Sequence, residues 1–370
     1  MHRVRVRGVA VAGVALAAAA LSLAACSSSS TTTNGSGSGG GSAKLTGTLN
    51  GSGSTFQLTF QQTAISNFKS IQPNMTVNYG GGGSGKGRTD LSSNVVQYAG
   101  SDTAPIPSDE TANFKGKTVL YFPVVVGPIT VSYNLSGVSN LKLDGPVIAG
   151  LFDGSIKKWD DPKITALNPG VKLPSTTVVI ARRSDSSGTT ANFSQFLVDA
   201  APGVWKLGSS STIAWPATSQ GGNGNGGVAQ IVKSTAGAVG YVDYSDAKAS
   251  GLTYASVKNK DGQYVAPSVQ SATTAADNAT VAPNLTFSAI WAPGAGSYPV
   301  TYQSWVLVYQ AQSSANTAKM LQAYLGYLLG DGQKLLSSLN YAPLPASLDQ
   351  KAKAQLPMIG SSSGASPTSS

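Results

Sequence analysis

The segment Arg183-Ser184-Asp185-Ser186-Ser187-Gly188-Thr189-Thr190 connects a predicted strand to a predicted helix. The strand is the short apolar run of residues 177–180, and the helix carries Phe193, Phe196 and Leu197 on one apolar face. A helix N-terminus leaves backbone N–H groups unpaired and carries the positive end of the helix dipole, so it can bind an anion. The segment therefore predicts a strand-turn-helix unit of an α/β domain with an anion site at its turn.

Three more polar, glycine-rich turns follow predicted strands in the same way. They are Gly51-Ser52-Gly53-Ser54-Thr55-Phe56, Gly80-Gly81-Gly82-Gly83-Ser84-Gly85-Lys86-Gly87 and Ala99-Gly100-Ser101-Asp102-Thr103-Ala104-Pro105. Glycine lets the backbone approach a ligand closely, and Ser or Thr can cap a helix while also donating a hydroxyl group. One such turn is an ordinary helix cap, but four of them, with Arg183 and Asp102 among their residues, indicate a shared binding site.

Strand and helix patterns alternate through the rest of the chain. Strands are predicted at residues 75–79, 120–126, 129–133, 239–242 and 305–309, with Gly127-Pro128 breaking the second from the third. Helices are predicted at residues 315–329 and directly after Thr55, the latter with one apolar face that consists of Phe56, Phe60, Ala64, Phe68 and Ile71. This alternation predicts α/β domains with mainly parallel sheets, and the length of 370 residues predicts two of them.

The N-terminal residues are typical of an exported lipoprotein. Three arginines precede an Ala- and Val-rich run, and Leu23-Ala24-Ala25-Cys26 resembles the bacterial lipobox, in which the Cys is lipidated and becomes the mature N-terminus. We expect a signal peptide at residues 1–25, and acyl chains, palmitate among them, on Cys26. Residues 26–44 then form a flexible Ser/Thr/Gly tether, and residues 361–370 a disordered tail.

Residue counts exclude most enzyme classes. The only Cys is Cys26 and the only His is His2, so the mature chain has no Ser-His-Asp triad, no Cys-His pair and no His-based metal site. Residues 80–86 fit most of the P-loop pattern, but Gly87 stands where the hydroxyl that binds Mg²⁺ is required. A net charge of +9 without a long Lys/Arg block favours small anions over nucleic acid. We predict no enzyme activity, no cofactor and no metal.

Several motifs, in one order, resemble the phosphate-binding receptors of bacterial phosphate ABC importers, members of the two-domain periplasmic-binding-protein superfamily. The resemblance covers residues 49–356, and besides the turns above its motifs are Val77-Asn78-Tyr79, Leu141-Lys142-Leu143-Asp144-Gly145, Lys158-Trp159-Asp160-Asp161-Pro162, Leu167-Asn168-Pro169-Gly170-Val171, Trp215-Pro216 and Gly237-Ala238-Val239-Gly240-Tyr241-Val242. Gln57 departs from the family, which usually has Pro there, and Thr103 is an insertion.

The resemblance implies a set of phosphate ligands. They fall on Thr55, Phe56 (through its N–H), Ser84, Asp102, Arg183, Ser187, Gly188 and Thr189. Arg183 supplies a planar charged fork suited to phosphate, and Asp185 would pair with it and orient it. Asp102 is an acceptor that only a protonated phosphate oxygen satisfies. Lys86 is expected to point to solvent, and the loop from Trp215 to Gly227 is treated as structural.

The resemblance also implies the architecture and the partners. We expect a type II two-lobe fold in which two crossover strands, near residues 122–124 and 298–300, join the lobes and the ligand lies in the cleft between them. Lobe one is predicted at residues 45–124 plus 297–360, and lobe two at residues 125–296. The protein would be a monomer, anchored through Cys26 on the extracytoplasmic face of the cell membrane, that delivers phosphate to the permease subunits of an importer.

Two alternatives stay open on the sequence. A protein of the same fold could bind sulfate or molybdate, and Asp102 is the residue that discriminates, because a sulfate site requires neutral donors. A secreted phosphatase is the other alternative, although it would need a metal cluster or an activated nucleophile, and no His is present for either.

Overall fold

The structure is a computed structural model that describes residues 44–104 and 114–361. The predicted signal peptide, Cys26 and the tether up to residue 43 lie outside the described residues, as do residues 362–370 of the predicted tail. Ser361, the first residue of that predicted tail, is instead paired with Gln312 in a short two-stranded sheet. Ser361 therefore belongs to a strand and not to a disordered tail.

Fourteen strands occur in the described part of the chain. They are β1 (Gly47–Gly53), β2 (Met75–Gly80), β3 (Tyr98–Ser101), β4 (Val119–Tyr133), β5 (Lys142–Leu143), β6 (Val179–Arg183), β7 (Gln220–Gly222), β8 (Ala238–Asp243), β9 (Thr253–Tyr254), β10 (Ser256–Lys258), β11 (Tyr264–Val265), β12 (Thr301–Tyr309), β13 (Ala311–Gln312) and β14 (Gly360–Ser361). The predicted strand at residues 177–180 lies two residues too early, since β6 begins at Val179.

The α-helices of the same residues are α1 (Leu58–Ile71), α2 (Ser84–Ser92), α3 (Gly145–Phe152), α4 (Pro162–Leu167), α5 (Gly188–Ala200), α6 (Gly224–Ser234), α7 (Tyr244–Ala249), α8 (Val269–Asp277), α9 (Ala315–Leu329) and α10 (Ala346–Gln355). Short 3₁₀ helices occur at Asp331–Leu335, Ser337–Leu339 and Leu356–Met358. No helix within residues 44–104 and 114–361 combines the length and the apolar character needed to span a membrane.

The first helix begins later than predicted. Its N-cap is Gln57, so Phe56 lies in the turn before the helix, although its ring is buried. Phe60, Ala64 and Phe68 form the predicted buried face, whereas Ile71 is 49% exposed. Ile71 is the last helical residue, which leaves it at the edge of the core rather than beneath it.

The main sheet has the strand order β2-β1-β3-β12-β4-β8-β6-β7, with β9 also paired to β4. Pairs at both ends of this order are parallel, as in β1 with β2 and β6 with β8. The central pairs, β3 with β12, β12 with β4 and β4 with β8, are antiparallel. The prediction of mainly parallel sheets is thus wrong for the centre, where β4 and β12 run in opposite directions through the middle of the molecule.

The strand β4 is continuous over 15 residues, although Gly127-Pro128 was expected to divide it. Its first part pairs with β12 as far as Pro128, and its second part pairs with β8 from Ile129 onward. Because Pro128 precedes the first residue paired with β8, its missing N–H removes no bond of that ladder. One buried strand near the first predicted crossover therefore pairs with β12 through its first part and with β8 through its second, and it connects the two halves of the sheet.

Candidate anion-binding site

The N-terminus of α5 forms one wall of the candidate site. Ser187 is the N-cap, and its Oγ accepts the N–H of Thr190 at 3.1 Å. Gly188 and Thr189 follow as the first two helical residues, and all three predicted ligands on this turn are buried. N–H groups in the first helical turn have no intrahelical acceptor, so this wall presents backbone donors and the positive end of the helix dipole.

Arg183 ends β6 directly in front of this helix, and 3% of it is exposed. Its Nε donates to Asp185 Oδ1 at 2.7 Å, its Nη2 pairs with Asp185 Oδ2, and its Nη1 donates to Thr189 Oγ1 at 3.3 Å. Burial opposes the ionisation of Asp185, but the hydrogen bond and charge of Arg183 outweigh burial and lower the pKa of Asp185. The structure thus places the expected orienting carboxylate in a two-point contact with the guanidinium.

Asp102 follows β3 and is 1% exposed. Its Oδ2 accepts from Ser84 Oγ at 3.2 Å, its Oδ1 accepts from Ser304 Oγ, and its own N–H donates to Ser84 Oγ at 3.1 Å. Burial raises the pKa of Asp102, although hydrogen bonds from Ser304, Ser54 and Ser84 and the charge of Arg183 oppose the rise. The two predicted ligands Ser84 and Asp102 are therefore in direct contact.

Glycine at two positions allows the β2–α2 turn to lie close to Asp185 and to the N-terminus of α5. A Cβ atom on Gly188 would lie 2.4 Å from Ser84 Oγ and 2.6 Å from Asp102 Cβ. A Cβ atom on Gly83, whose φ is +92°, would lie 2.3 Å from Asp185 Oδ2. Any side chain at either position would push the β2–α2 turn away from the turn that contains Arg183, so the absence of Cβ atoms is what brings the predicted ligands together.

Thr55 and Phe56 lie in the turn between β1 and α1, on the side of Thr189 and Tyr302. Thr55 Oγ1 accepts from Asn225 Nδ2 at 3.2 Å. The N–H of Phe56, predicted to donate to the anion, donates to Ser54 Oγ at 3.1 Å. The ring of Phe56 stacks on Tyr302 with centroids 4.2 Å apart, and this packing fixes the turn against β12.

Two residues at the site were missed on the sequence. Asn225, in the loop that the sequence led us to treat as structural, is fully buried and contacts both Thr55 and Thr189. The signal was available, since Asn223-Gly224-Asn225-Gly226-Gly227 is a fifth polar, glycine-rich turn between a strand and a helix. Trp215, in the same loop, does pack as a structural residue, with its ring stacked on Tyr241.

Ser304 is the second missed residue. It lies on β12, one residue before the strand predicted at residues 305–309, and the sequence there gives no sign of a site. Gln57 Nε2 donates to Ser304 Oγ at 2.6 Å, and Ser304 donates in turn to Asp102. The residue that departs from the family pattern therefore holds the hydroxyl that contacts Asp102. Lys86, as expected, is directed outward, with a side chain that is 53% exposed and paired with Asp90 at 2.6 Å.

The arrangement combines backbone donors, hydroxyl groups, one buried guanidinium and one buried carboxylate. Among the described residues, Arg183 is the only cationic side chain that is buried. Donors and a cation attract an oxyanion, whereas Asp102 requires a proton from its ligand unless the carboxyl is itself protonated. The site is thus chemically suited to an oxyanion that retains a proton.

Comparisons with known proteins agree with this chemistry. A sequence model described as a PBP superfamily domain matches residues 35–331. Phosphate-binding protein PstS 3 of Mycobacterium leprae (strain TN) is 35% identical over 314 residues, which cover 82% of this chain and 85% of that protein. Phosphate-binding protein PstS of Pasteurella multocida (strain Pm70) is 34% identical over 314 residues, with coverage of 83% and 89%.

Solved structures show the same fold. The chain matches the high-affinity periplasmic phosphate-binding protein PfluDING, bound with phosphate, with a TM-score of 0.67 and 19% identity over 84% of this chain and 94% of that chain. It matches the phosphate-binding protein of Stenotrophomonas maltophilia with a TM-score of 0.64 and 19% identity over 83% and 93%. The predicted α/β, two-lobe periplasmic-binding-protein-like fold is confirmed.

Proposed function

Because the chain belongs to the PstS family of phosphate-binding proteins, within the PBP superfamily, we propose that it binds inorganic phosphate outside the cytoplasm and delivers it to an ABC-type importer. It is a transport receptor and not an enzyme. The observation that supports the assignment to phosphate is that a buried guanidinium, Arg183, and a buried carboxylate, Asp102, both lie beside the N-terminus of α5. Arg183 attracts the anion, and Asp102 accepts a proton that phosphate still holds near neutral pH.

The ligand set predicted from the sequence is proposed to surround this phosphate. Thr189 and Gly188 would donate from the start of α5, and Thr55 from the turn before α1. Ser84, whose one hydroxyl proton goes to Asp102 Oδ2 at 3.2 Å, would exchange that contact for the anion. Ser187 already accepts the N–H of Thr190, so its hydroxyl proton is free to be donated outward. The N–H of Phe56 would exchange its contact with Ser54 Oγ for the anion.

Lobe closure is the proposed consequence of binding, with lobe one at residues 45–124 plus 297–360 and lobe two at residues 125–296. Direct contacts between these segments support the idea. Asn192 Nδ2 donates to the carbonyl of Asp102 at 2.7 Å, and Gly85 N–H donates to the carbonyl of Ser186 at 3.0 Å. An anion held by both segments stabilises their approach, and the closed form in turn holds the anion more tightly. The importer's permease subunits would then dock on the closed form.

Titration of the purified protein with phosphate tests the function. Trp215 stacks on Tyr241, whose hydroxyl accepts the N–H of Arg183 at 2.9 Å, so binding at Arg183 is expected to change tryptophan fluorescence. Calorimetry provides a second readout that does not depend on any fluorophore. Saturable binding of one phosphate per chain is the expected result, and the absence of heat and of a fluorescence change at millimolar phosphate would refute the proposal.

Anchoring through Cys26 is a separate proposal, supported by the lipobox-like residues that end at this Cys. Several acyl chains on one residue exceed what stable membrane attachment requires. Cys26→Ala is expected to release the protein into the medium, while the neighbouring control Ser27→Ala stays with the cells. Mass spectrometry of the mature N-terminus completes the experiment. A wild-type protein without lipid, together with a Cys26→Ala variant that stays with the cells, would contradict the proposal.

The monomeric state is likewise proposed and can be measured on the same preparation by light scattering.

A further inference from the structure

Asn225 reaches the phosphate site from an element that contains none of the predicted ligands. It is the second residue of α6 and is fully buried. The preceding residue, Gly224, has a φ of +66°, and its N–H donates to Asp185 Oδ1 at 3.2 Å. This tight turn ties the start of α6 to the carboxylate that holds Arg183, and it directs the side chain of Asn225 between Thr55 and Thr189.

The orientation of the Asn225 amide follows from its contacts. Its Oδ1 accepts the N–H of Asp243 at 3.3 Å. A backbone N–H can only donate, so the atom facing it must be the amide oxygen. The Nδ2 group therefore faces the other way, 3.2 Å from Thr55 Oγ1 and 3.4 Å from Thr189 Oγ1. As an NH₂ group, it donates one hydrogen to each hydroxyl oxygen.

Each of the two threonine hydroxyl groups then has both lone pairs engaged. A hydroxyl oxygen carries one proton and two lone pairs. Thr55 Oγ1 accepts from Asn225 Nδ2 and also from the N–H of Asn225 at 3.4 Å. Thr189 Oγ1 accepts from Asn225 Nδ2 and from Arg183 Nη1 at 3.3 Å. The remaining neighbour of Thr189 Oγ1 is the hydroxyl of Tyr302, at the long distance of 3.5 Å. The two threonine protons are thus left to be donated to a ligand.

We infer that Asn225 is a positioning residue that fixes the hydroxyl groups of Thr55 and Thr189 as hydrogen-bond donors to the bound phosphate. The inference rests on the proposed function and deepens it. A free hydroxyl rotates and can present either its proton or a lone pair, and a lone pair set against phosphate oxygen is repulsive. With the lone pairs already occupied, both hydroxyl groups meet the anion in the donor state. Asn225 thereby acts through the threonines and does not itself need to contact phosphate.

Binding measurements on a small set of variants test this inference. Calorimetric titration with inorganic phosphate is performed on four proteins. They are the wild type, Asn225→Ala, the double variant with Thr55→Val and Thr189→Val, and the triple variant that adds Asn225→Ala to these two substitutions. Asn225→Ala is expected to weaken binding about 10-fold, the effect of losing hydrogen bonds that orient two donors. In the protein without the two hydroxyl groups, the same substitution should change binding by about 2-fold or less, because it has no hydroxyl left to orient.

Asn223→Ala is the matched control. Asn223 occupies the same turn, is exposed, and makes no side-chain capping bond, so its loss should leave affinity unchanged. Thermal unfolding without phosphate verifies that each variant is folded. Should Asn225→Ala fail to fold, Asn225→Asp keeps the shape and the acceptor for the N–H of Asp243. Its second oxygen would accept from the hydroxyl groups and reverse their direction, so its loss of affinity should exceed 10-fold.

The outcomes separate this inference from the proposed function. A wild type that does not bind phosphate refutes the function itself. If the wild type binds and a folded Asn225→Ala or Asn225→Asp variant binds equally well, only the inference on Asn225 is overturned. The inference is also overturned if Asn225→Ala weakens phosphate binding as strongly in the protein with Thr55→Val and Thr189→Val as it does in the wild type. The role of Asn225 would then be structural.

Discussion

Arg183→Ala is expected to weaken phosphate binding by about 30-fold or more. Arg183 supplies the buried positive charge of the site, and loss of one partner from a buried, hydrogen-bonded charge pair costs roughly 2–5 kcal/mol. The substitution also leaves Asp185 without its cation. Burial opposes the ionisation of Asp185, and its pKa is lowered mainly through Arg183, so an unpaired Asp185 adds negative potential where phosphate is proposed to bind. Both effects act in the same direction.

Two further variants make this measurement specific. Arg182→Ala removes the neighbouring arginine, whose Nε donates to Ser219 Oγ at 3.2 Å, and it should leave affinity within about 2-fold of the wild type. Arg183→Lys keeps the charge but loses the planar fork that engages both oxygens of Asp185, so it should fall between the wild type and Arg183→Ala. An unchanged dissociation constant for Arg183→Ala would mean that phosphate binds elsewhere on the molecule.

Selectivity against sulfate is expected to depend on Asp102. Near neutral pH phosphate retains at least one proton, which it can donate to the buried carboxylate, whereas sulfate has none. Sulfate would therefore set an oxygen lone pair against a charged acceptor. An unsatisfied buried group costs about 1–3 kcal/mol, and more when it is charged, so the wild type should reject sulfate by several orders of magnitude. Asp102→Asn replaces this acceptor with an amide that can donate.

Competition titrations with both anions measure the effect. Asp102→Asn should retain measurable phosphate binding, while its preference for phosphate over sulfate shrinks by about 10-fold or more. Asp185→Asn is the matched control, because Asp185 pairs with Arg183 rather than accepting from the ligand. Asp185→Asn should weaken the binding of both anions by the same factor and leave the ratio of their dissociation constants unchanged. Equal binding of sulfate and phosphate by the wild type would instead favour a receptor for another oxyanion.

The raised pKa of Asp102 also predicts that the same variant is at least as stable as the wild type. A carboxyl whose pKa is raised on folding binds its proton more tightly in the folded state than in the unfolded state. The folded protein therefore loses stability as the pH rises past the unfolded pKa. Asp102→Asn removes this penalty, so without phosphate the variant should unfold at a temperature no lower than the wild type at neutral pH. A less stable variant would contradict this prediction. It would indicate that the hydrogen bonds from Ser84 and Ser304 stabilise the carboxylate by more than its burial destabilises it.

The sequence by itself determined the local parts of the site. Ser187 caps a helix through Thr190, three residues away, and Arg183 pairs with Asp185, two residues away. Such contacts form wherever the backbone adopts a strand-turn-helix geometry, so the order of polar and apolar residues is enough to predict them. The same reasoning found the turns that contain Thr55, Ser84 and Asp102 and the helix Ala315–Leu329.

Only the tertiary structure decided which of these parts meet and what holds them. Asn225 contacts Thr55 across 170 residues of sequence, and Ser304 contacts Asp102 across 202. Ser304 does not differ locally from many other Ser residues, and the glycine-rich turn around Asn225 does not reveal which residues it contacts. Both sets of contacts depend on where β12 and α6 lie in the folded chain. The sequence could not predict that β4 continues through Pro128, for the same reason. Whether a missing N–H breaks a ladder depends on which strand lies beside it, and the partners of β4 come from distant parts of the chain.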